Sequence, residues 1–364
     1  MKRKKKLCFV SGDISRSGGT ERVALTIANK LSSMGYDISI LSFWRGQSSF
    51  FSKNKEIKLY TLLDEKKEGK LYRTYLYPIL KLRRFILKND IDIIIDIDMV
   101  LTQYSVFAKV ATKCKVISWA HFNYYHTIND KKRVFAMKCA KKFADYTVVL
   151  TKEDYKYHIN KAKFHPNRIK YIYNPIPICI DKEVKIQNKV FLSVGRLVKE
   201  KGFDMLIEAW SLIEEKIPDW NLNIIGSGEQ KKELCDLIQV FNLKNIKIVD
   251  HTKEIDKYYS NSCVYVLSSR NEGFPMVLLE AKAKGLPIIA FDCKTGPNEM
   301  IIHNKDGILV ESENVQMLSQ SMLELARDNK KIKEFSYNSL ASATNFTIEK
   351  IIIEWQEIID ELLT

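Results

Sequence analysis

Short apolar runs alternate with longer amphipathic segments along the first half of the chain. Runs such as Lys6–Val10 and Ile91–Ile97 have the length and composition of buried strands. Glu21–Met34 repeats apolar residues at helical spacing and is followed by Gly35, which predicts a helix that stops there. Further predicted elements are the strands Asp37–Ser42, Lys115–Trp119, Tyr146–Leu150 and Ile169–Ile172 and a basic, aromatic helix over Leu71–Lys88. This alternation predicts βαβ units in a parallel sheet covered on both faces.

The alternation breaks at Tyr173–Pro177, and the polar stretch up to Lys189 predicts a linker. The same cycle then restarts. Its predicted strands are Val190–Val194, Asn221–Ile225, Ile246–Val249, Val264–Leu267 and Ile288–Ala290, and its predicted helices are Gly202–Glu215, Glu229–Phe241, Ile255–Ser260 and Val277–Lys284. We therefore expect two Rossmann-like, doubly wound α/β domains over residues 1–175 and 176–345. A helix within residues 346–364 is expected to pack back on the first domain. Ligands of such sheets bind beyond the carboxyl ends of the strands, so a cleft between the domains is the expected site.

Charge is divided unevenly between the halves of the 364-residue chain. Residues 1–175 hold 35 Lys+Arg and 15 Asp+Glu, a balance of +20. Residues 176–364 hold 23 and 29, a balance of −6, and the two sum to the net charge of +14. The asymmetry indicates an anionic partner for the first half, either a membrane or nucleic acid, with a solvated basic surface as the alternative.

The sequence contains few signals for targeting, membrane insertion, disulfide formation or zinc binding. The basic start Met1–Lys6 is followed by an apolar run too short for a signal peptide, and no stretch reaches the roughly 18 apolar residues of a membrane span. We therefore expect a cytoplasmic protein that is soluble or peripherally associated with a membrane. The seven cysteines include no C-x-x-C pair. This pattern favours buried thiols in a reducing compartment over disulfides or a zinc site.

The segment Ser268–Glu280 carries the most informative motif. A buried strand ends, a Gly/Pro turn follows, and a helix is predicted to begin near Met276. A helix N-terminus offers unpaired N–H groups and a positive dipole end, which suit a diphosphate. Glu272 precedes that helix and Glu280 lies one turn inside it. Two carboxylates beside a phosphate-ready helix start indicate a nucleotide sugar, although a capped helix with two incidental glutamates is the alternative.

Three further loops follow the same strand-to-helix pattern. Arg196 and Lys201 lie on the loop after the first strand of the second domain, where two cations suit a diphosphate leaving group. The alternative is a pair of solvated loop charges. Gly226-Ser227-Gly228 forms a weaker Gly-x-Gly turn, and Ser17–Thr20 precedes a helix in the first domain.

These motifs together resemble the GT-B glycosyltransferases, specifically the retaining enzymes of family 4. The resemblance is closest from Val190 to about Val310, and the Glu-x7-Glu pattern is its most specific element. In the first domain it rests on Ser17–Thr20, the helix after it, and Ser118-Trp119-Ala120-His121. The stretch Phe291–Glu299 is similar to bacterial members that build O-antigen, capsule or lipid-linked oligosaccharides.

The resemblance implies a role for each matching residue. Arg196 and Lys201 would bind the donor diphosphate, Glu280 the ribose hydroxyls and Glu272 the transferred sugar. Backbone N–H groups near Phe274, Met276 and Val277 would help to hold phosphate and sugar, beside the glycine turns at Gly195 and Gly226. Gly18 and Gly19 would let the first-domain loop approach the donor, and His121 would contact the sugar near the reaction centre. A lone histidine at a strand end is otherwise more often structural.

The implied reaction retains the anomeric configuration and requires no cofactor or metal. A hexose or N-acetylhexosamine would pass from a nucleotide-diphosphate sugar, most simply UDP-linked, to a lipid-linked glycan in bacterial surface polysaccharide synthesis. A hexosyltransferase is therefore expected. The alternatives are another reaction of the same fold, such as nucleotide-sugar epimerisation, and a basic nucleic-acid-binding protein. No nucleic-acid-binding module is visible, and the aromatic residues follow core periodicity, so nucleic acid is not the expected partner.

Two other features of residues 1–175 suggest contacts with an acceptor and with a membrane. Asp96 and Asp98 imitate a metal-binding D-x-D, but they lie away from the donor loops, so acceptor contact or strand-end solvation is the preferred interpretation. The segment Leu71–Lys88 interleaves apolar and aromatic residues with cations. It favours an anionic inner-leaflet surface slightly over ordinary packing on the sheet. The cations expected to contact the membrane are Arg73, Lys81, Arg83 and Arg84.

Overall fold

The computed structural model describes residues 3–45, 48–63, 75–184 and 188–364. The chain forms two compact units. Unit 1 contains the residues up to Pro175 together with Ile348–Thr364, and unit 2 contains Ile176–Thr347. The C-terminal helix, which was expected over residues 346–364 to pack back on the first domain, belongs to unit 1 from Ile348.

Unit 1 is built on a seven-stranded parallel sheet. The strands are β1 (Lys6–Ser11), β2 (Asp37–Ser42), β3 (Lys58–Thr61), β4 (Ile93–Ile97), β5 (Lys115–Trp119), β6 (Tyr146–Val149) and β7 (Ile169–Tyr171). Their spatial order is β3-β2-β1-β4-β5-β6-β7. The helices are α1 (Gly19–Ser33), α2 (Leu76–Asn89), α3 (Met99–Ala108), α4 (Tyr124–Ile128), α5 (Lys131–Phe143), α6 (Lys152–Asn160) and α14 (Ile348–Leu363).

Unit 2 repeats the design with six parallel strands. They are β8 (Val190–Val194), β9 (Asn221–Ile225), β10 (Ile246–Val249), β11 (Val264–Leu267), β12 (Ile288–Asp292) and β13 (Gly307–Glu311), in the order β10-β9-β8-β11-β12-β13. The helices are α7 (Phe203–Ser211), α8 (Lys231–Val240), α9 (Ile255–Ser260), α10 (Met276–Ala283), α11 (Pro297–Met300), α12 (Val315–Arg327) and α13 (Asn329–Ala343). The predicted doubly wound, parallel-sheet architecture is confirmed.

The strand order places a switch point in each sheet. In unit 1 successive connections run outward in opposite directions from the β1/β4 pair, and in unit 2 they do so from β8/β11. At such a point the loops beyond the carboxyl ends diverge and leave a crevice. The central strands β4 and β11 are buried at every position, which explains why β11 is apolar throughout and β4 is apolar except for Asp96.

The predictions missed the edge strands β3 and β13 and several helices, among them α3, α5, α6, α12 and α13. Strand β3 was not predicted because it is four residues long and partly exposed at the sheet edge. Helix α5 was not predicted because six cations among its thirteen residues obscure the apolar pattern. The expected helix over Leu71–Lys88 is present as α2 from Leu76, and residues 71–74, with Arg73, lie outside the described residues.

Helix α14 lies on unit 1 through one buried face and several ion pairs. Its Trp355 is fully buried and packs edge-on against Trp119 of β5, with ring centroids 4.7 Å apart. Lys30 pairs with Glu349 at 3.1 Å, and Lys170 pairs with Glu354 at 3.3 Å. The helix therefore contributes to the core of the sheet that carries His121.

The expectations about the cysteines and about membrane-spanning segments can be compared with the described residues. The seven cysteines are free; five are buried, whereas Cys235 is partly exposed and Cys179 is exposed. Burial raises the pKa of the Cys8 and Cys263 thiols to about 12, which keeps them protonated. Across the described ranges, no helix is both long enough and apolar enough to cross a bilayer.

Candidate active site

The switch point of unit 2 brings the two charged loops together. Strand β8 lies beside β11, with Phe191 opposite Val264, so the loops that follow these strands leave the same edge of the sheet. Lys201 on the first loop and Glu272 on the second are 71 residues apart in sequence. The Lys201 Nζ atom nevertheless lies 2.6 Å from the Glu272 Oε1 atom.

The Lys201–Glu272 pair is largely removed from solvent. The Glu272 side chain is 8% exposed and that of Lys201 is 22% exposed. The Ser269 hydroxyl donates to the same Glu272 oxygen at 2.7 Å, and the Thr295 hydroxyl donates to the Glu272 backbone carbonyl. The ammonium has three protons, so the contact with Glu272 leaves it able to donate to a ligand as well. The pair can therefore hold a hydroxyl-bearing and an anionic ligand group side by side.

The loops that carry Lys201 and Glu272 pack so closely that the position of Gly202 cannot accommodate a side chain. Gly202 has φ +63°, and a Cβ atom there would lie 2.1 Å from the Ser268 carbonyl oxygen. Glycine is required both for the left-handed backbone and for this approach. Strand order and a single glycine thus bring Lys201 to Glu272.

Glu280 lies in α10 and is buried. The hydroxyl of Tyr259, itself buried, donates to Glu280 Oε2 at 2.8 Å and so fixes the carboxylate orientation. Tyr259 belongs to α9, which the sequence predicts, but its contact with Glu280 was not predicted. A buried carboxylate held by a tyrosine can accept hydrogen bonds from the hydroxyls of a ligand.

The other residues predicted to bind the donor differ in their exposure and in their contacts. Arg196 is exposed, and its guanidinium makes no ion pair or hydrogen bond with any described residue. Phe274 is buried, whereas Met276 and Val277 in the first turn of α10 are partly exposed. No acidic residue lies in that turn. The start of α10 therefore keeps the positive electrostatic character that the sequence predicts.

Two predicted donor glycines have a packing role in the structure. A Cβ atom on Gly226 would lie 1.8 Å from the carbonyl oxygen of Gly195, and one on Gly195 would lie 3.3 Å from the Phe203 ring. Gly226 is thus required for the close packing of the turns after β8 and β9. This packing alone explains Gly226, and its predicted contact with the donor stays a prediction.

In unit 1 the predicted residues lie on loops after β1 and β5. Gly18 precedes α1 in an extended conformation, and a Cβ atom there would meet only the mobile end of the Glu21 side chain. Gly19 is the first residue of α1. Neither conformation requires glycine, so close approach of a ligand stays a prediction.

His121 packs against the ring of Trp119. Its ring lies 4.3 Å from that of Trp119, and its Nε2 atom is buried with no hydrogen-bond partner among the described residues. Burial alone lowers the pKa of His121 to about 3, so the imidazole is neutral at physiological pH. It can exchange a hydrogen bond with a neutral ligand group, but it is not a cation.

Strand-end solvation, one of the two preferred interpretations of Asp96 and Asp98, is wrong, whereas acceptor contact stays a prediction. Asp96 is fully buried and accepts a hydrogen bond from Ser105 at 2.6 Å, and burial raises its pKa to about 7. Asp98 makes a bidentate pair with Arg133, at 3.0 and 3.1 Å, and caps α3 through the Val100 N–H. The two carboxylates thus have separate structural partners. Across the described ranges, no group of three potential metal-ligating side chains is present.

The predicted membrane cations are mostly engaged in intramolecular contacts. Arg83 donates to the carbonyls of Ala108 and Val110, and Lys81 donates to the Leu62 carbonyl at 3.4 Å. Arg84 is exposed. The Leu71–Lys88 segment therefore offers fewer free cations than the sequence predicts, and Arg73 lies outside the described residues.

Family comparisons match both units. The family model described as "Glycosyl transferases group 1" matches residues 180–341, and the model described as "Glycosyltransferase Family 4" matches residues 17–178. An uncharacterized glycosyltransferase of Haemophilus influenzae is 34% identical and covers 98% of this chain and 100% of its own. The amylovoran biosynthesis glycosyltransferase AmsD of Erwinia amylovora is 30% identical, with coverage of 98% and 99%.

A more distant relative and a solved structure agree. The Campylobacter jejuni α-1,4-N-acetyl-D-galactosaminyltransferase that acts on a diNAcBac-PP-undecaprenol glycan is 26% identical, with coverage of 98% and 99%. The crystal structure of Anabaena HepE in complex with UDP superposes with a TM-score of 0.80 at 17% identity, covering 98% of this chain and 100% of HepE. This chain therefore belongs to the GT-B glycosyltransferases of family 4 type.

Proposed function

We propose that this protein is a retaining hexosyl- or N-acetylhexosaminyltransferase that uses a UDP-linked donor and a lipid-linked glycan acceptor in bacterial surface polysaccharide synthesis. The observation that carries the proposal is the Lys201–Glu272 pair at the switch point of unit 2, with Glu280 buried nearby in the helix that follows. AmsD, whose name places it in amylovoran biosynthesis, and the undecaprenol-dependent Campylobacter enzyme support the pathway and the acceptor class. The UDP complex of HepE supports the nucleotide.

The donor diphosphate binds Arg196, Lys201 and the start of α10. Arg196 is available because it has no described intramolecular partner, and Lys201 keeps donor protons beyond the one directed at Glu272. Glu280 accepts the ribose hydroxyls, and Glu272 orients the sugar. Positive charge is thus concentrated where the leaving group develops negative charge, which stabilises the transition state. Because these cations serve the diphosphate, the reaction proceeds without a divalent metal.

Transfer breaks the bond between the anomeric carbon and the diphosphate oxygen. The acceptor hydroxyl attacks the same face of an oxocarbenium-like sugar, and its proton passes to the leaving phosphate oxygen, so the configuration is retained. His121 acts as a neutral hydrogen-bonding group toward the sugar, since its low pKa excludes an imidazolium at physiological pH.

A donor panel tests this function. Nucleotide sugars are added separately, and thermal unfolding is followed, because a ligand that binds only the folded state raises its stability. We expect UDP-sugars to protect the protein and to be consumed rapidly only when a lipid-linked acceptor is added. Conversion of the donor to an epimer without acceptor would instead support an epimerase.

An anionic membrane surface is the second partner in the proposal, and α5 rather than α2 supplies the main contact. Seven residues of α5 are exposed, namely Lys131, Lys132, Phe135, Lys138, Lys141, Lys142 and Phe143. The helix contains no acidic residue. This surface differs from the one that the sequence predicts.

Exposed aromatic rings join α5 to its neighbours. Tyr75 lies 6.5 Å from Phe107 and 6.3 Å from Phe135, and Phe107 lies 5.9 Å from Phe143. All four rings are between 37% and 46% exposed. Leu76, at 69% exposure, adds aliphatic area to this surface. Aromatic and aliphatic groups among lysines match the headgroup region of an anionic bilayer.

Vesicle co-sedimentation tests this surface. Replacing Lys132, Lys138 and Lys142 by Gln should weaken binding to phosphatidylglycerol vesicles about 100-fold, since each cation contributes about 1 kcal/mol. The matched control replaces three exposed lysines of unit 2, Lys247, Lys330 and Lys333, and should bind like the wild type. High salt should release the protein. Equal loss in both variants, or duplex DNA binding of similar strength, would contradict the assignment.

A further inference from the structure

Three successive backbone carbonyls on the Lys201 loop accept hydrogen bonds from the Glu272 loop. The Arg270 guanidinium donates to the Lys199 carbonyl at 2.8 Å, and the Arg270 backbone N–H donates to the Glu200 carbonyl at 2.9 Å. The Ser268 hydroxyl donates to the Lys201 carbonyl at 3.1 Å. The short 3-10 turn that carries Lys201 is therefore attached to the second loop at every residue.

The rest of the Arg270 side chain is held by a carboxylate. Its two terminal nitrogens form a bidentate pair with Asp204 in the first turn of α7, at 2.9 and 2.7 Å. Asp204 holds the pKa of Arg270 above its usual value, and the pairing lowers the pKa of Asp204 although burial opposes this. Glu313 lies 3.4 Å from the Arg270 Nε atom but is 56% exposed.

We infer that Arg270 is a positioning residue for the donor diphosphate, acting with Asp204 to hold Lys201 in register with Glu272. Asp204 occupies the edge formed by the two terminal nitrogens of the guanidinium, one of which also donates to the Lys199 carbonyl, and the guanidinium Nε atom faces Glu313. Arg270 therefore acts through Lys201, at a distance from the reacting atoms. The inference rests on the proposed donor site.

Two variants test this role. Arg270→Lys removes the bidentate guanidinium and keeps the positive charge. Asp204→Asn keeps the shape of the side chain and removes its negative charge. We expect each to weaken, by about tenfold or more, the binding of the nucleotide sugar that gives the largest thermal shift in the donor panel. The donor KM should rise, and kcat should fall with it because Lys201 also stabilises the leaving diphosphate, whereas the acceptor KM should not change. A variant that had only lost stability would contain less active protein, which lowers kcat and leaves the donor KM unchanged.

The control and the double variant make the test specific. Glu313→Gln removes the exposed partner and should leave donor affinity unchanged. Combining Arg270→Lys with Asp204→Asn should weaken binding no more than one substitution does, because both remove the same contact. Wild-type affinity in both single variants, or an additive double variant, overturns the inference. Failure of every nucleotide sugar in the panel to protect the wild-type protein overturns the donor site itself.

Discussion

Replacing Lys201 by Met separates the structural and ligand-binding roles of its ion pair. The substitution leaves the Glu272 carboxylate, 8% exposed, beside Ser269 without its cation. Breaking a buried pair costs about 3–5 kcal/mol, and the 22% exposure of Lys201 reduces this to about 2–3 kcal/mol here. For a domain of this size, such a loss lowers Tm by about 5–10 °C. Calorimetry of the unliganded protein measures it.

The double variant Lys201→Met/Glu272→Gln provides the decisive comparison. A neutral glutamine accepts the Ser269 hydrogen bond without requiring a cation, so most of the lost stability should return. Donor affinity should not return, because the diphosphate still lacks a charge-assisted hydrogen bond worth about 1.5–3 kcal/mol, or about 10- to 100-fold in Kd. Titration calorimetry with UDP checks this. Recovery of both stability and affinity would refute a direct role for Lys201.

Three further outcomes follow from other buried groups. Glu280→Gln should weaken UDP binding by about 1–3 kcal/mol while unfolding stays cooperative; unchanged calorimetric affinity would remove Glu280 from the site. Asp96→Asn should stabilise unit 1 above pH 7 but not at pH 5. The folded Asp96 carboxyl, with a pKa of about 7, keeps its proton below that pH and carries a costly buried charge above it. Equal differences in Tm between variant and wild type at pH 5 and pH 8.5 would contradict this. Lys282→Ala should destabilise unit 2 by about 3–5 kcal/mol, because its fully buried partner Asp306, 2.6 Å away, is left without a counter-ion; urea unfolding measures the loss, and Lys305→Ala on the exposed loop is the control.

Local patterns were sufficient to predict most of the fold. Buried parallel strands such as β11 appear as continuous apolar runs, and helix α10 is marked by a Gly/Pro turn before it. Several elements were not predicted, including the amphipathic helix α12, and two of them have weak local signals. Edge strand β3 is short and half exposed, and the many lysines of α5 hide its apolar positions. The candidate site was predicted as a set of loops, whereas the contacts of Arg270 and Tyr259 within it were not.

The sequence by itself determined the two α/β units, the uneven charge and the residue types at the strand ends, because each of these depends on neighbours within a few positions. Tertiary structure alone decided which side chains meet. Lys201 reaches Glu272 because β8 and β11 are adjacent, and Trp355 reaches Trp119 because the last helix returns to the first sheet. It also decided which cations are exposed, since Arg83 turns inward to carbonyls while α5 presents its lysines. Strand order and helix docking depend on packing between segments distant in the chain, and no local pattern specifies them.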